Sequence, residues 1–314
     1  MTQKLSTEAT DNRPELIVDY ACETGENPLW NPIERRLYWT DIQKGRLFCY
    51  NPFDGSHEQC YQGRPIGGFT VQPDGSLLLF MDRGTVAIWR RNGLVEVIPE
   101  ITAERSSRFN DVIADPRGRV FCGTMSTPER KGSLYRLDLD GSIHLLLEGI
   151  GCPNGMAFTP DSKGFYFTDS FAREIYSFDY DVNDGAICNQ RLFASLGRAD
   201  GFPDGATVDS DGQLWSALWD GECVVRFLQN GEIDKRIMLP TRKVSSLTFG
   251  GENYSDLYIT TAGGNHKDEN GPLAGGLFRV KGQAAGLPEF FSRISVTKSN
   301  LYVRPESHPI QLDI

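Results

Sequence analysis

Short strand-like stretches alternate with turn-forming pairs along the whole chain, and few windows carry the 3.6-residue apolar spacing of a helix. The pattern predicts an all-β protein. One unit recurs: an apolar strand, a turn rich in Pro, Asp and Gly, a strand carrying aromatics, a gap, and a third strand. Its first half reads LWNPIERRLYWTD from Leu29, TVQPDGSLLLF from Thr70, VIADPRGRVFCGTM from Val112, AFTPDSKGFYFTDS from Ala157, TVDSDGQLWSALWDG from Thr207 and LTFGGENYSDLYITTA from Leu247. With Trp30, Val71, Ile113, Phe158, Val208 and Phe249 aligned, successive copies lie 41 to 50 residues apart, the period of a four-stranded propeller blade. Each copy goes on to an outer strand of alternating character: GRLFCY, GTVAIW, GSLYRL, REIYSF, ECVVRF and GGLFRV. The expected fold is therefore a six-bladed β-propeller of four-stranded blades. A propeller must close its ring, and ELIVDY at Glu15 to Tyr20 is left over as the N-terminal strand that closes the last blade. The expected organisation is a polar N-terminal tail over residues 1–14, the propeller over 15–292 and a C-terminal tail over 293–314.

Composition narrows the partners. The 33 glycines in 314 residues exceed the average of roughly 7%, as many tight turns require. No apolar run approaches the roughly 18 residues of a membrane span, and Met1 to Pro14 lacks the basic and apolar regions of a signal peptide. A cytoplasmic protein without a membrane partner is expected. Seven cysteines at irregular spacing read as reduced, mostly buried thiols. A formal charge of -10 without any Lys/Arg cluster repels phosphate backbones, so nucleic acid is not an expected partner.

In a propeller the first strand of each blade lines the central channel, so matching positions converge on one axis. Just before the aligned marks lie Glu26, Gly67, Asn110, Asn154, Asp204 and Ser245. Carboxylate, amide and hydroxyl oxygens are hard donors, suited to Ca²⁺, Mg²⁺ or Mn²⁺. The histidines His57, His144, His266 and His308 fall away from this ring. Taken singly, Glu26, Asn154 and Asp204 read as turn residues, since glycine follows both Asn154 and Asp204. Taken as a repeat-phased set they read as metal ligands, and the sequence pattern leaves both readings open. Asp74-Gly75, Asp140-Gly141 and Asp211-Gly212 sit at blade hairpins and read as structural turns. LDLDG at Leu137 to Gly141 lacks the remaining ligands of a calcium loop. There is no G-x-S-x-G elbow, H-E-x-x-H helix, P-loop or G-x-G-x-x-G, which disfavours serine-triad, zinc-helix and nucleotide chemistry.

The phrases GENPLW, SRFNDVIADPRGRVFCGTM, PNGMAFTPD, FPDGATVDSDGQLWSALWDG and GGENYSDLYITTAGG resemble the regucalcin, gluconolactonase and senescence-marker-protein-30 family, in order over about residues 15 to 285. The resemblance implies a six-bladed propeller that hydrolyses lactones with the help of a metal. It implies Glu26, Asn154 and Asp204 as ligands of one divalent ion, Ca²⁺ first, with Zn²⁺, Mn²⁺, Mg²⁺ or Fe²⁺ as alternatives. It also implies that Arg108 and Asn110 contact the substrate, a small-molecule lactone such as a sugar lactone. Two departures stand out. Asn27 follows Glu26 where many members carry Gly or Ser, and Glu129 in STPERKG falls out of register with the acidic substrate contact of some relatives.

On this reading the metal polarises the lactone carbonyl while Asp204 accepts the proton of the attacking water, Asp111 being the second candidate base. The alternatives are a phosphotriesterase or aryl-esterase on the same site, and a non-catalytic interaction propeller, of which YWTD at Tyr38 to Asp41 and FYFTD at Phe165 to Asp169 are the signs. Cys152 reads as a small buried thiol, and of Trp215 and Trp219 at least one reads as blade packing. Nothing in the sequence indicates an oligomeric state.

Overall fold

The structure, a computed structural model, describes residues 13–91 and 93–295. Most of residues 1–14 and of the tail from Arg293, with His308, lie outside the described residues. Six four-stranded sheets surround a channel. The inner strands, in chain order for blades one to six, are Gly25–Asn31, Ile66–Val71, Phe109–Ala114, Pro153–Phe158, Phe202–Val208 and Val244–Gly250. The N-terminal strand Glu15–Asp19 pairs antiparallel with Gly276–Lys281 and forms the outermost strand of blade six. The ring is therefore closed by main-chain hydrogen bonds between the first and last strands of the described residues. Among the described residues no helix is long and apolar enough to cross a membrane.

The near-continuous apolar strands of the sequence follow from burial on both faces. Successive side chains of a strand point to opposite faces, and each blade is packed against a neighbour on either side. In blade four, Phe165 and Phe167 join the core shared with blade three while Tyr166 joins the core shared with blade five. In blade one, Leu37 and Trp39 face blade six, and Tyr38 faces blade two. The result is six separate hydrophobic cores, one at each blade interface.

YWTD and FYFTD have a structural purpose. Asp41 is fully buried, accepts the Thr24 N–H at 3.0 Å and pairs with Arg46 at 2.5 Å. Asp169 accepts the Gly151 and Cys152 N–H groups at 2.8 and 3.0 Å. In both blades the aspartate at the end of the second strand ties down the segment leading into the inner strand. The hairpin aspartates behave as expected: Asp74 and Asp140 each accept from the serine two residues on, at 2.6 Å through the hydroxyl. All seven cysteines are unpaired, five of them buried.

A strap closes the end of the channel opposite the inner-strand starts. Gly286 bridges to Asp209 and donates to Tyr254 O, then Ser292 donates to Val71 O, Arg293 to Gly118 O and Ser295 to Leu139 O. These partners lie at or near hairpins of blades two, three, five and six. Ile294 and Phe291 reach into two of the cores, and Glu289 and Phe290 face the channel.

Because each blade interface has its own core, a cavity in one is not relieved by its neighbours. Phe121 is fully buried between blades three and four, with ring centroids 5.0 Å from Phe165 and 5.6 Å from Phe158. Phe121→Ala is expected to cost about 3–5 kcal/mol in chemical denaturation. Leu145→Ala, on an outer strand and 48% exposed, should change stability by no more than about 0.5 kcal/mol.

Candidate functional site

A regular strand would show the channel only alternate residues. All six inner strands carry a bulge at their first turns of the ladder: between Glu26 and Leu29, Ile66 and Gly68, Phe109 and Val112, Asn154 and Ala157, Pro203 and Ala206, and Val244 and Ser246. A bulge inserts an extra residue, bends the strand and re-aims its side chains. Asn154-Gly155 and Asp204-Gly205 are thus not hairpin turns. They lie inside strands, and Gly155 takes φ +32°, at a place where a Cβ would meet Asp204 O at 2.4 Å.

The bulges bring Glu26, Asn110, Asn154 and Asp204 into one cavity of about 230 Å³ that Arg108 also lines. The other two ring positions contribute no ligand. Gly67 is where blade two approaches blade three so closely that a Cβ would meet Phe109 O at 2.0 Å. Ser245 is fully buried, its hydroxyl bonded to Gly25 O at 2.5 Å and Thr260 Oγ1 at 3.1 Å, tying blade six to blade one.

A chain of hydrogen bonds crosses three blades. Arg108 Nη1 donates to Asn110 Oδ1 at 2.7 Å and to Phe109 O at 2.9 Å. Asn110 Nδ2 donates to Asn154 Oδ1 at 2.8 Å and to Pro153 O at 2.9 Å. Asn154 Nδ2 donates to Ser170 Oγ at 2.9 Å, and Ser170 Oγ donates to Pro203 O at 2.6 Å, the residue before Asp204. The amide of Asn154 is thereby fixed with its nitrogen toward Ser170 and its oxygen toward Asn110. Both N–H groups of Asn110 are used within the protein, and its oxygen is what it has left to offer a ligand.

Burial pushes the Glu26 carboxyl upward, the nearby Asp111 charge adding to it. Asp204 is pushed upward by burial first, then by the charges of Glu26 and Asp111, with Arg108 opposing. Neither carboxylate makes an ion pair among the described residues. Two mutually repelling carboxylates, Asp204 buried and Glu26 half-buried, with an amide oxygen beside them form a donor set that a hard divalent cation would neutralise. No cluster of three or more His, Cys, Asp or Glu occurs among the described residues, so any cation here would rest on mixed carboxylate and amide oxygens. Burial also raises the Cys152 thiol and keeps it protonated beside Met125 Sδ at 3.6 Å; thiolate chemistry is not what this cavity offers.

Residues 24–263 match the model of the SMP-30/Gluconolactonase/LRE-like region. The chain belongs to that family. Pentonolactonase XacC of Haloferax volcanii is 46% identical over 288 residues, 88% of this chain and 97% of that protein. Regucalcin of Gallus gallus is 30% identical over 279 residues, 85% of this chain and 93% of that protein. The solved structure of a luciferin-regenerating enzyme superposes with a TM-score of 0.82 at 25% identity, covering 90% of this chain and 99% of that one.

In this SMP-30/gluconolactonase/LRE-like chain, Asn27 has φ +47° and its amide oxygen accepts the Phe69 N–H, linking blade one to blade two. Glu129 is exposed and off the cavity; its neighbour Arg130 pairs instead with buried Glu104. Trp219 lines the cavity, whereas Trp215 is fully buried and donates to Asp209 Oδ2 at 2.9 Å. Asp111 does face the channel, on a lower level than Asn110, because both fall within the blade-three bulge. Sequence reasoning missed Ser170, Gln43, Phe171 and Phe202, which line the cavity with the rest. The signal for Ser170, Phe171 and Gln43 was their place just past the second strands, at the same end of the propeller as the inner-strand starts.

Burial raises Asp111 to about 6, and burial with the Asp111 charge raises Glu289 to about 7. Each group therefore holds its proton more tightly folded than unfolded. The stability this confers is complete in acid and is lost as pH rises through those two values. With cations stripped by chelator, the melting temperature should fall across that window, and Asp111→Asn should flatten the fall.

Proposed function

We propose that the propeller, residues 15–292, is a lactonase that holds one divalent cation on Glu26, Asn154 and Asp204 and opens a small sugar lactone. The observation that carries this reading is the meeting of Glu26, Asp204 and Asn154 in one cavity with Arg108, a buried and a half-buried carboxylate without ion-pair partners beside a guanidinium. The cavity's volume of about 230 Å³ falls below the roughly 300–1,000 Å³ of sites for drug-sized ligands, in keeping with a single small ring. The Haloferax volcanii relative is named a pentonolactonase, which makes a five-carbon lactone the first substrate to test. Seven unpaired thiols agree with the cytoplasmic setting expected from the sequence.

A hard divalent cation bound there supplies Lewis acidity at the carbonyl and promotes ionisation of water. Arg108 is held by its Nη1 contacts, and its other N–H groups are free to donate to the lactone's oxygens as negative charge develops on them. Asn110 orients both Arg108 and Asn154, and its Oδ1 accepts from a substrate hydroxyl. Asp204 takes the proton of the attacking water and returns it to the ring oxygen as the acyl C–O bond breaks. Phe171, Phe202 and Trp219 wall the ring and limit water around it.

A panel of five- and six-membered lactones, a phosphotriester and an aryl ester should be assayed with chelator-stripped protein reloaded separately with Ca²⁺, Mn²⁺, Zn²⁺, Mg²⁺ and Fe²⁺. Turnover should be confined to lactones and to reloaded protein; full activity without cations would sink the proposal. Asp204→Asn should lower kcat by at least about 10²-fold with an unchanged circular dichroism spectrum.

Ser170→Ala removes the acceptor that fixes the Asn154 amide. Cation affinity measured by calorimetry should fall by roughly 10–100-fold, with Ser170→Thr recovering most of it.

A further inference from the structure

The walls of the cavity around Glu26, Asn154 and Asp204 differ in kind. Phe171 from blade four, with Phe202 and Trp219 from blade five, makes one side of it aromatic. Two of these rings are backed by cations: the Arg173 guanidinium lies 3.8 Å from the centroid of Phe202, and Lys243 Nζ 4.6 Å from that of Trp219. Such contacts add to the packing that holds the rings. An aromatic face packs against C–H groups and leaves hydroxyls to find their partners elsewhere.

On blades three and four most of the polar side chains lining the cavity are engaged with one another. Asn110 spends its N–H groups on Asn154 Oδ1 and Pro153 O. Asn154 directs its own at Ser170 Oγ and Cys152 Sγ, at 2.9 and 3.5 Å, and Ser170 gives its proton to Pro203 O. Blade one is the exception. The Thr24 hydroxyl and the Gln43 amide line the same cavity and have no hydrogen-bond partner among the described residues. The main chain beneath them is nevertheless fixed. Thr24 O accepts the Ile42 N–H at 3.0 Å, and the Gly45 N–H returns to Ile42 O at 3.1 Å, which makes Gln43 and Lys44 the central residues of a tight turn. Ile42 is buried, and at Gly45 a Cβ would meet Gly63 O at 2.2 Å, so the turn is wedged in place. Lys44 pairs with Glu23 at 3.3 Å, which leaves neutral groups to face a ligand. An anchored turn thus carries an exposed, unspent amide at the mouth of the cavity.

We propose that Gln43 is the specificity-determining residue of this site: its amide, with the Thr24 hydroxyl of the same blade, binds the hydroxyl groups of a lactone whose C–H face lies against Phe202 and Trp219. A sugar hydroxyl both donates and accepts, and a primary amide brings two donors and an acceptor, so Gln43 serves two neighbouring hydroxyls at once. The inference rests on the lactonase reading of the site and narrows its substrates to polyhydroxylated lactones. Gln43 holds the ring's substituents and not its carbonyl, so it contributes equally to binding before and in the transition state.

The test compares wild type with Gln43→Leu, which keeps the bulk and removes the hydrogen bonds at an exposed position. Each is loaded with the cation that supports turnover and assayed on a pentono-1,4-lactone and on unsubstituted γ-butyrolactone. The ratio of kcat/KM between the two lactones should fall by roughly 3–10-fold in the variant, the loss appearing in KM for the hydroxylated lactone. A structural effect of the substitution would lower both lactones together and leave the ratio where it was, which overturns the proposal. A second readout needs no turnover: calorimetry of Ca²⁺-loaded protein with the hydroxylated γ-lactam, whose amide resists hydrolysis. Wild type should bind it more tightly than Gln43→Leu by the same factor; equal affinity, or no binding to wild type, overturns the proposal. If no lactone is turned over while the lactam still distinguishes the two proteins, the lactonase reading fails and recognition by Gln43 stands. If lactones are turned over with an unaltered ratio, the lactonase reading stands and the role of Gln43 fails.

Discussion

An antiparallel strand shows alternate side chains to its two faces, so an unbroken inner strand would give the channel one residue in every two and spend the rest on the blade interface. The bulge near the start of every inner strand lifts that restriction. It allows Asn110 and Asp111 both to face the channel at different heights, and it leaves the remainder of the strand in register for packing. The site depends on this local surrender of ladder hydrogen bonds, repeated around the ring. The bulges also explain which residues can stand there. Gly155 adopts a left-handed φ, Gly67 admits a carbonyl of the next blade, and Asn27 takes a positive φ while bonding across to blade two.

The electrostatic consequence is an acidic channel. Glu26 and Asp204 stand above Asp111 and Glu289, and Arg108 is the cation that lines the upper cavity. Removing carboxylates from water costs several kcal/mol each unless they are paired, protonated or bound to a cation. The protein has the means to pair them with arginine, as it does at Asp41, Asp115 and Glu104. It leaves the channel carboxylates unpaired, which distinguishes them from the buried acids that serve the fold.

Much of this was legible in the sequence because propeller geometry turns repeat position into spatial position. Six copies of one pattern fixed blade number and strand count, the leftover ELIVDY fixed the closing strand, and phase alone put Glu26, Asn110, Asn154 and Asp204 on the axis. Phase could not tell which ring positions serve other ends. Gly67 and Ser245 share the register, yet one is a close backbone approach and the other an inter-blade tie. Nor does periodicity see bulges, and it is the blade-three bulge that lets Asp111 face the channel beside Asn110. Ser170 and Glu289 were missed for a further reason: Ser170 ends its repeat copy just past the second strand, off the inner-strand register, and Glu289 belongs to a strap outside the repeat, so only the folded ring brings them to the channel.

Six independent cores separate the stability of this molecule from the geometry of its site. Each core holds two neighbouring blades at a packing distance, but no core spans the channel, so hydrophobic packing cannot fix where Asn154 lies relative to Asp204. That alignment falls to polar links between blades: Asn110 to Asn154, Asn154 to Ser170, Ser170 to Pro203, and Ser245 to Gly25. Hydrogen bonds are directional where apolar contacts are not, and in a buried channel each donor left without its acceptor carries the full desolvation cost. A displacement of one blade therefore breaks several links at once, and the ring resists it cooperatively. Stability at the periphery and positional accuracy at the axis thus have different physical origins, and changes in the first need not disturb the second.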